Sequence, residues 1–208
     1  DQSISSVGPA RSVLLFSPCP LEELEDQEIA ITAESATSVN LLYLLLREFV
    51  GLHSFRLKVP FEPVEDIIST GRPALLIGDR ALKASGNRGV GIVYDLGDLW
   101  LRYTGLPFVF ALWIVRADAA KEKSKAVSNL LQSLIVSRDR AFESLEKLAA
   151  RYPESAWMGE AGLVEYWRDS MSYDLGFAHI EGLRLFFNLC VRHRLLREEP
   201  QIRFFDSK

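Results

Sequence analysis

Glu34, Ser35, Ala36, Thr37 and Ser38 lie between a β-like run and the first turn of an amphipathic segment. A helix start presents unpaired N–H groups and a partial positive charge, and the hydroxyls of Ser35, Thr37 and Ser38 add donors, so this stretch could hold a carboxylate or phosphate. Helix capping is the competing role, since Ser and Thr are common N-caps. One hydroxyl suffices for a cap, and three are offered. Gly78 and Asp79 close a second apolar run, where a glycine lets backbone approach a ligand; Asp79 could equally cap a helix over residues 80–84. Ser3, Ser5 and Ser6, beside Gly8, Pro9 and Arg11, have ordinary loop composition. Gly105, Leu106 and Pro107 lead into a third apolar run that reads as a buried strand leaving a turn.

The remaining reactive residue types are scattered. His53, His179 and His193 show no metal-ligand spacing and no arrangement with Ser, Cys or Asp that suggests nucleophilic catalysis; solvated or core roles suit them better. Cys19 and Cys190 stand far apart and read as reduced packing residues. Among the carboxylates, Asp98, Glu143, Glu146, Glu160 and Glu165 read as solvated charges. Asp95 differs: it closes the short strand preceding Leu96 and Gly97, where it would face a cleft or fix the loop leading to Trp100.

With 208 residues, 48% hydrophobic and 25% charged, the chain has material for one large domain or two small ones. A formal charge of −4 leaves no basic footprint, which argues against nucleic acid and anionic lipid as partners. The longest apolar stretch, residues 106–115, is about half of the roughly 20 residues a spanning helix needs. The first residues show no basic region followed by an apolar one, so no secretory signal is expected.

Strands are expected at residues 12–16, 28–32, 55–59, 74–78, 91–94 and 107–115, with helices at 38–49 and 64–69. Beyond 115 the pattern is helical: 119–150 with a break near 136–138, then 155–170 and 176–196. Alternating strands and helices imply an α/β fold with a mainly parallel sheet covered on both faces, and ligands in such folds sit at strand ends. Two lobes are expected, one of residues 1–17 and 107–208 and one of residues 18–106, hinged near 17–24 and 105–108.

Five stretches taken in order resemble the chorismate dehydratase family: Ser12-Val13-Leu14-Leu15-Phe16-Ser17; Ser35 to Ser38 with Val39, Leu41 and Leu42; Leu75-Leu76-Ile77-Gly78-Asp79-Arg80-Ala81-Leu82; Tyr94-Asp95-Leu96-Gly97; and Thr104-Gly105-Leu106-Pro107-Phe108-Val109-Phe110-Ala111. The segment Ser172-Tyr173-Asp174-Leu175-Gly176 with Glu181-Gly182-Leu183 and Phe186-Phe187 is similar to the family's last part. The resemblance implies a type 2 periplasmic-binding-protein-like fold of two α/β lobes, used in the cytoplasm as an enzyme of the futalosine route to menaquinone. The implied reaction takes water from chorismate to give 3-[(1-carboxyvinyl)oxy]benzoate without metal or organic cofactor. Chorismate is the implied small-molecule partner, nucleic acid and membrane are not, and a homodimer is a candidate assembly.

Under this resemblance Ser6 and Thr37 are expected to be catalytic donors. Ser5, Ser35, Ser38, Gly78, Asp79, Gly105, Leu106 and Pro107 are expected to line the substrate. Family members begin with a further strand and a loop carrying Asn in a Tyr-Leu-Asn-type sequence, which this chain does not show, so part of one lobe is expected to be missing. The base is then a carboxylate of the substrate or a residue of that segment. Two alternatives share the fold: the sister enzyme 1,4-dihydroxy-6-naphthoate synthase, which carries a His-Glu pair where this chain has Gly78-Asp79, and a non-catalytic solute-binding protein.

Overall fold

The computed structural model describes residues 2–86 and 91–205. These divide into two compact units, residues 1–111 with 170–199 and residues 112–169 with 200–208.

The first unit opens with a strand, β1 (Gln2–Ser6), where a loop was expected. Its inward residues are serines: Ser3 and Ser5 are fully buried while Ile4 is exposed. The polarity is inverted because the hydroxyls take the place of packing. Ser3 Oγ donates to the Asp174 carbonyl at 2.6 Å and Ser5 Oγ to the Ser172 carbonyl at 3.1 Å, both on the strand that β1 pairs with.

Next come β2 (Val13–Ser17), β3 (Glu28–Ala30), α1 (Ala36–Leu44), β4 (Arg56–Lys58), α2 (Val64–Ser69) and β5 (Ala74–Ile77). They are followed by α3 (Gly78–Ser85), β6 (Ile92–Asp95), α4 (Leu96–Thr104) and β7 (Phe108–Leu112). The expected helix 38–49 begins two residues early and runs on as a π-helical turn, Leu45–Val50, closed by Gly51 at φ 88°. The helix α4 was not anticipated, although Leu96, Leu99 and Trp100 share one buried face at helical spacing.

The larger sheet has the order β4-β3-β5-β2-β6. β3 is parallel to β4 and β5, while β2 is antiparallel to β5 and β6, so four strands run one way and β2 alone is reversed. The parallel strands are joined through helices, as parallel pairs require. Every residue of β2 is buried, and its side chains alternate between two cores. Leu14 and Phe16 pack with Ala30, Ala74 and Leu76 against Val64, Ile67 and Ile68 of α2 and Ala81 and Ala84 of α3. Val13 and Leu15 join Ile29 and Leu75 against α1, α4 and the C-terminal helix. Each fully buried Leu or Phe contributes about 1.5–3 kcal/mol over an exposed one, so this two-sided burial dominates the unit's stability.

The second unit is helical: α5 (Ala117–Glu122), α6 (Ser124–Phe142), α7 (Leu145–Ala149), α8 (Ser155–Met158) and α9 (Glu160–Glu165). The break expected near 136–138 is absent. With neither Gly nor Pro there, α6 runs on to Phe142, and interruptions fall at Lys123, at 143–144 and at Gly159, φ 78°. Leu145, Ala149, Leu163 and Val164 form this unit's core with Met158 and Trp167.

The chain re-enters the first unit with β8 (Ser172–Asp174) and α10 (Phe177–Arg192). A smaller sheet has the order β7-β1-β8. Trp100, Phe108 and Phe186 meet edge to face, with Phe108 5.2 Å from Trp100 and 5.1 Å from Phe186, so α4, β7 and α10 share one aromatic cluster.

At the end of α10, Arg192 Nη1 lies 2.5 Å and His193 Nε2 2.7 Å from the carboxylate of Glu48 in the π-helical turn. The His193 hydrogen bond, followed by the Arg192 charge, holds Glu48 below the ordinary carboxylate range against the opposing effect of burial. Folding therefore favours the charged form. The stabilisation is present above the ordinary Glu value and is lost as pH falls through the lowered one. Urea unfolding of the protein between roughly pH 6 and pH 3 should show a steeper acid loss than Glu48→Gln does; identical slopes would remove Glu48 from the linkage.

Candidate functional site at one edge of the larger sheet

The directions of the strands collect the chemistry-bearing turns. β3, β4, β5 and β6 all end, and β2 begins, along the same edge of the larger sheet. α1, α2, α3 and α4 each follow one of these strand ends, so four helix starts with partial positive charge face that edge.

At the start of α1, Ser35 is the N-cap: its Oγ accepts from the Ser38 N–H at 3.1 Å and donates to Ser38 Oγ at 3.0 Å. Capping thus occupies Ser35 and engages the buried Ser38. Thr37 is half-buried, and among the described residues its hydroxyl and the N–H groups of Ala36 and Thr37 make no hydrogen bond. The turn before them is fixed by Thr32 Oγ1, which accepts from the Glu34 N–H at 3.1 Å.

α3 begins at Gly78, with φ 60°, whose N–H donates to the Ser12 carbonyl at 2.7 Å. Its N-cap is Ile77, so Asp79, an exposed residue of the first turn, does not take the capping role that was one of its two open readings. The hydrogen bond ties the start of β2 to the end of β5, where Val13 is opposite Ile77.

At the start of α4, the Asp95 carboxylate accepts four N–H groups. Oδ1 takes Ala10 at 2.9 Å, Gly97 at 2.9 Å and Asp98 at 3.2 Å, and Oδ2 takes Arg11 at 2.6 Å. Burial pushes this carboxyl up, and the four N–H groups act in the opposite sense. Asp95 therefore fixes a loop, the second of its two expected roles. Ser6 lies against the same helix start. Its side chain is buried, its Oγ has no hydrogen-bond partner, and it fits only because Gly97 lacks a Cβ, which would stand 2.5 Å from Ser6 Oγ and 2.6 Å from the Gly8 carbonyl oxygen.

Ser35, Thr37 and Ser38 thus stand at the start of the helix that follows β3, and Gly78 and Asp79 at the start of the one that follows β5, both strands ending along one edge of the larger sheet; Ser6 lies against the start of α4. The Ser5 hydroxyl is engaged within the smaller sheet, donating to β8 and lying 3.1 Å from Ser3 Oγ. Gly105, at φ 71°, closes α4, and the Leu106 N–H donates to Thr104 Oγ1 at 3.1 Å. Pro107 is buried with its carbonyl against Gly182 of α10. The contacts of these three residues are thus with α4 and α10.

Arg80 is a residue whose place in this edge the sequence does not announce. It stands in the first turn of α3 and bridges Glu65 of α2 and Glu34 of the turn before α1. Its signal was a cation directly after Gly78-Asp79 at a helix start. His193, whose partner is likewise not evident from the sequence, pairs with Glu48. Cys190 is buried and its thiol is pushed up to about 11 by burial, so it packs rather than reacts. Among the described residues no group of three His, Cys, Asp or Glu side chains is placed to hold a metal ion, and no helix is long and apolar enough to cross a membrane.

A family model described as menaquinone biosynthesis matches residues 1–192. The chain belongs to the menaquinone biosynthesis family. This family member is 34% identical over 164 residues to a protein of Thermus thermophilus named chorismate dehydratase, a match that covers 72% of the chain and 57% of that relative. It thus spans little more than half the length of that relative. The crystal structure of the periplasmic aliphatic sulphonate binding protein SsuA from Escherichia coli matches 95% of the chain and 66% of SsuA, with a TM-score of 0.55 and 16% identity. The family member therefore has the expected periplasmic-binding-protein-like fold.

Proposed function

We propose that this member of the menaquinone biosynthesis family works as a chorismate dehydratase, a hydro-lyase that converts chorismate to 3-[(1-carboxyvinyl)oxy]benzoate and water. The observation that carries the reading is the sheet edge itself. Four helix starts follow strand ends along it, the Ala36 and Thr37 donors stand at the first of them, the buried, unpartnered Ser6 hydroxyl lies against the start of α4, and Ser35 to Ser38, Gly78, Asp79 and Gly97 lie in the stretches that resemble the family. The likeness to the Thermus thermophilus protein supports the same assignment.

Chorismate carries two carboxylates and a ring hydroxyl. Its dehydration breaks one ring C–H and one C–O bond, and the aromatic ring formed supplies much of the driving force. The protein's task is then to fix the ring and to aim donors at the charge that develops. In this scheme the Ala36 and Thr37 N–H groups and the Thr37 hydroxyl hold a carboxylate, Gly78 and Asp79 border the same site, and Ser6 assists departure of the hydroxide. A substrate carboxylate takes the ring proton. A cytoplasmic location and independence of any cofactor belong to this same reading.

Replacing Ser6 or Thr37 by alanine should lower kcat/KM for chorismate by about 1–4 kcal/mol of transition-state stabilisation. Ser6→Ala is the sharper test. Removing a buried hydroxyl that lacks a partner should leave unfolding stability unchanged or slightly raised, so a fall in turnover cannot come from a damaged fold. Wild-type turnover in both variants would exclude these residues from the site.

A further inference from the structure

Arg80 has two carboxylate partners that differ in kind. Its Nε and Nη2 each lie 2.6 Å from Glu65, on Oε1 and Oε2, a two-point pairing that fixes the guanidinium plane. Its Nη1 makes one contact of 3.2 Å with Glu34 Oε1, and the Glu34 side chain is 56% exposed. An exposed single-contact pair of this kind is weak, whereas the planar two-point pair is the durable one. In keeping with this, Arg80 holds the Glu65 carboxyl below its usual range. The guanidinium is thus anchored on one side by Glu65, and its Nη1 contact with Glu34 brings it to the turn that precedes α1, two residues before Ala36.

We propose that Arg80 is a carboxylate-binding residue of this site, and that Glu34 is its resident counter-ion, displaced when a carboxylate ligand arrives. The inference rests on the reading of the sheet edge as an anionic-substrate site and adds a cation to it. Glu65 remains in place as the orienting partner, so binding exchanges one exposed carboxylate for another and moves no proton. Glu34 in effect competes with the ligand.

That competition gives the substitutions opposite signs. Calorimetric titration of the protein with chorismate, and separately with benzene-1,3-dicarboxylate, should show Glu34→Gln binding about twofold to fivefold tighter than wild type. Arg80→Gln should bind about tenfold or more weakly, Arg80→Lys should fall between it and wild type, and the Arg80→Gln/Glu34→Gln pair should match Arg80→Gln alone. If Arg80→Gln does not fold, Glu34→Gln and Arg80→Lys still decide the matter. Unchanged or weaker binding by Glu34→Gln overturns the proposal. So does wild-type affinity in the double variant, which would mean that Arg80 acts only through Glu34, and so does failure of wild type to bind either ligand. The expected pattern with benzene-1,3-dicarboxylate but no turnover of chorismate would sink the dehydratase reading and leave the Arg80 site standing; turnover with affinities indifferent to these substitutions would do the reverse.

Discussion

Replacing Asp95 by alanine is expected to lower the unfolding free energy by about 3–5 kcal/mol. One carboxylate satisfies the N–H groups of Gly97 and Asp98 at the start of α4 together with those of Ala10 and Arg11 in the incoming segment. Loss of the cap accounts for about 1–2 kcal/mol, and each buried N–H left unpaired for about 1–3 kcal/mol, reduced where water can enter. Arg11 sits in the left-handed region at φ 61°, a conformation the Asp95 bond helps to hold. Asp95→Asn keeps an acceptor for the three bonds to Oδ1 and turns an amide toward the Arg11 N–H, so it should cost less, about 1–2 kcal/mol. Urea or guanidinium unfolding of both variants measures this; a loss under about 1 kcal/mol for Asp95→Ala would contradict the assigned role.

Gly182→Ala is the second large effect. Helix propensity alone would make alanine stabilising by about 1 kcal/mol within α10. Packing reverses the sign, because a Cβ at 182 would stand 2.2 Å from the Pro107 carbonyl oxygen, a backbone atom that cannot swing away. A net loss of about 2–3 kcal/mol is expected as α10 is forced off the segment leading into β7. Gly162→Ala in α9 is the control: its Cβ would meet only the Met158 side chain, at 3.0 Å, and that chain can move. Thermal unfolding should therefore show Gly182→Ala lowered and Gly162→Ala unchanged or raised. Equal shifts would show that the contact with Pro107 does not restrict α10.

Much of the fold was legible because buried strands here are continuous apolar runs bracketed by turn residues. Val64–Ser69 formed as expected, and the strands at 74–78 and 107–115 are present in shortened form. β1 carries no hydrophobic alternation to mark it as a strand, because its buried positions include Ser3 and Ser5, whose hydroxyls bond to partner carbonyls. α4 carries helix marks in Asp95 as N-cap, the 96, 99 and 100 spacing and Gly105 as terminator, but the glycine at 97 and the aromatics mask them. In the site, the Ser35 cap was foreseeable from type and position. The Arg80 bridge was not, because its partners lie 15 and 46 residues away and only the packing of α2 and α3 against one sheet face brings them together.

Under the function proposed above, this sheet edge grips a dicarboxylic ring compound while it loses water. The most direct measurement is the mass of the product after the protein is incubated with chorismate. Expected is a species lighter than chorismate by one water, formed by wild type and slowed in Ser6→Ala. Recovery of chorismate unchanged, with binding detected, would contradict it.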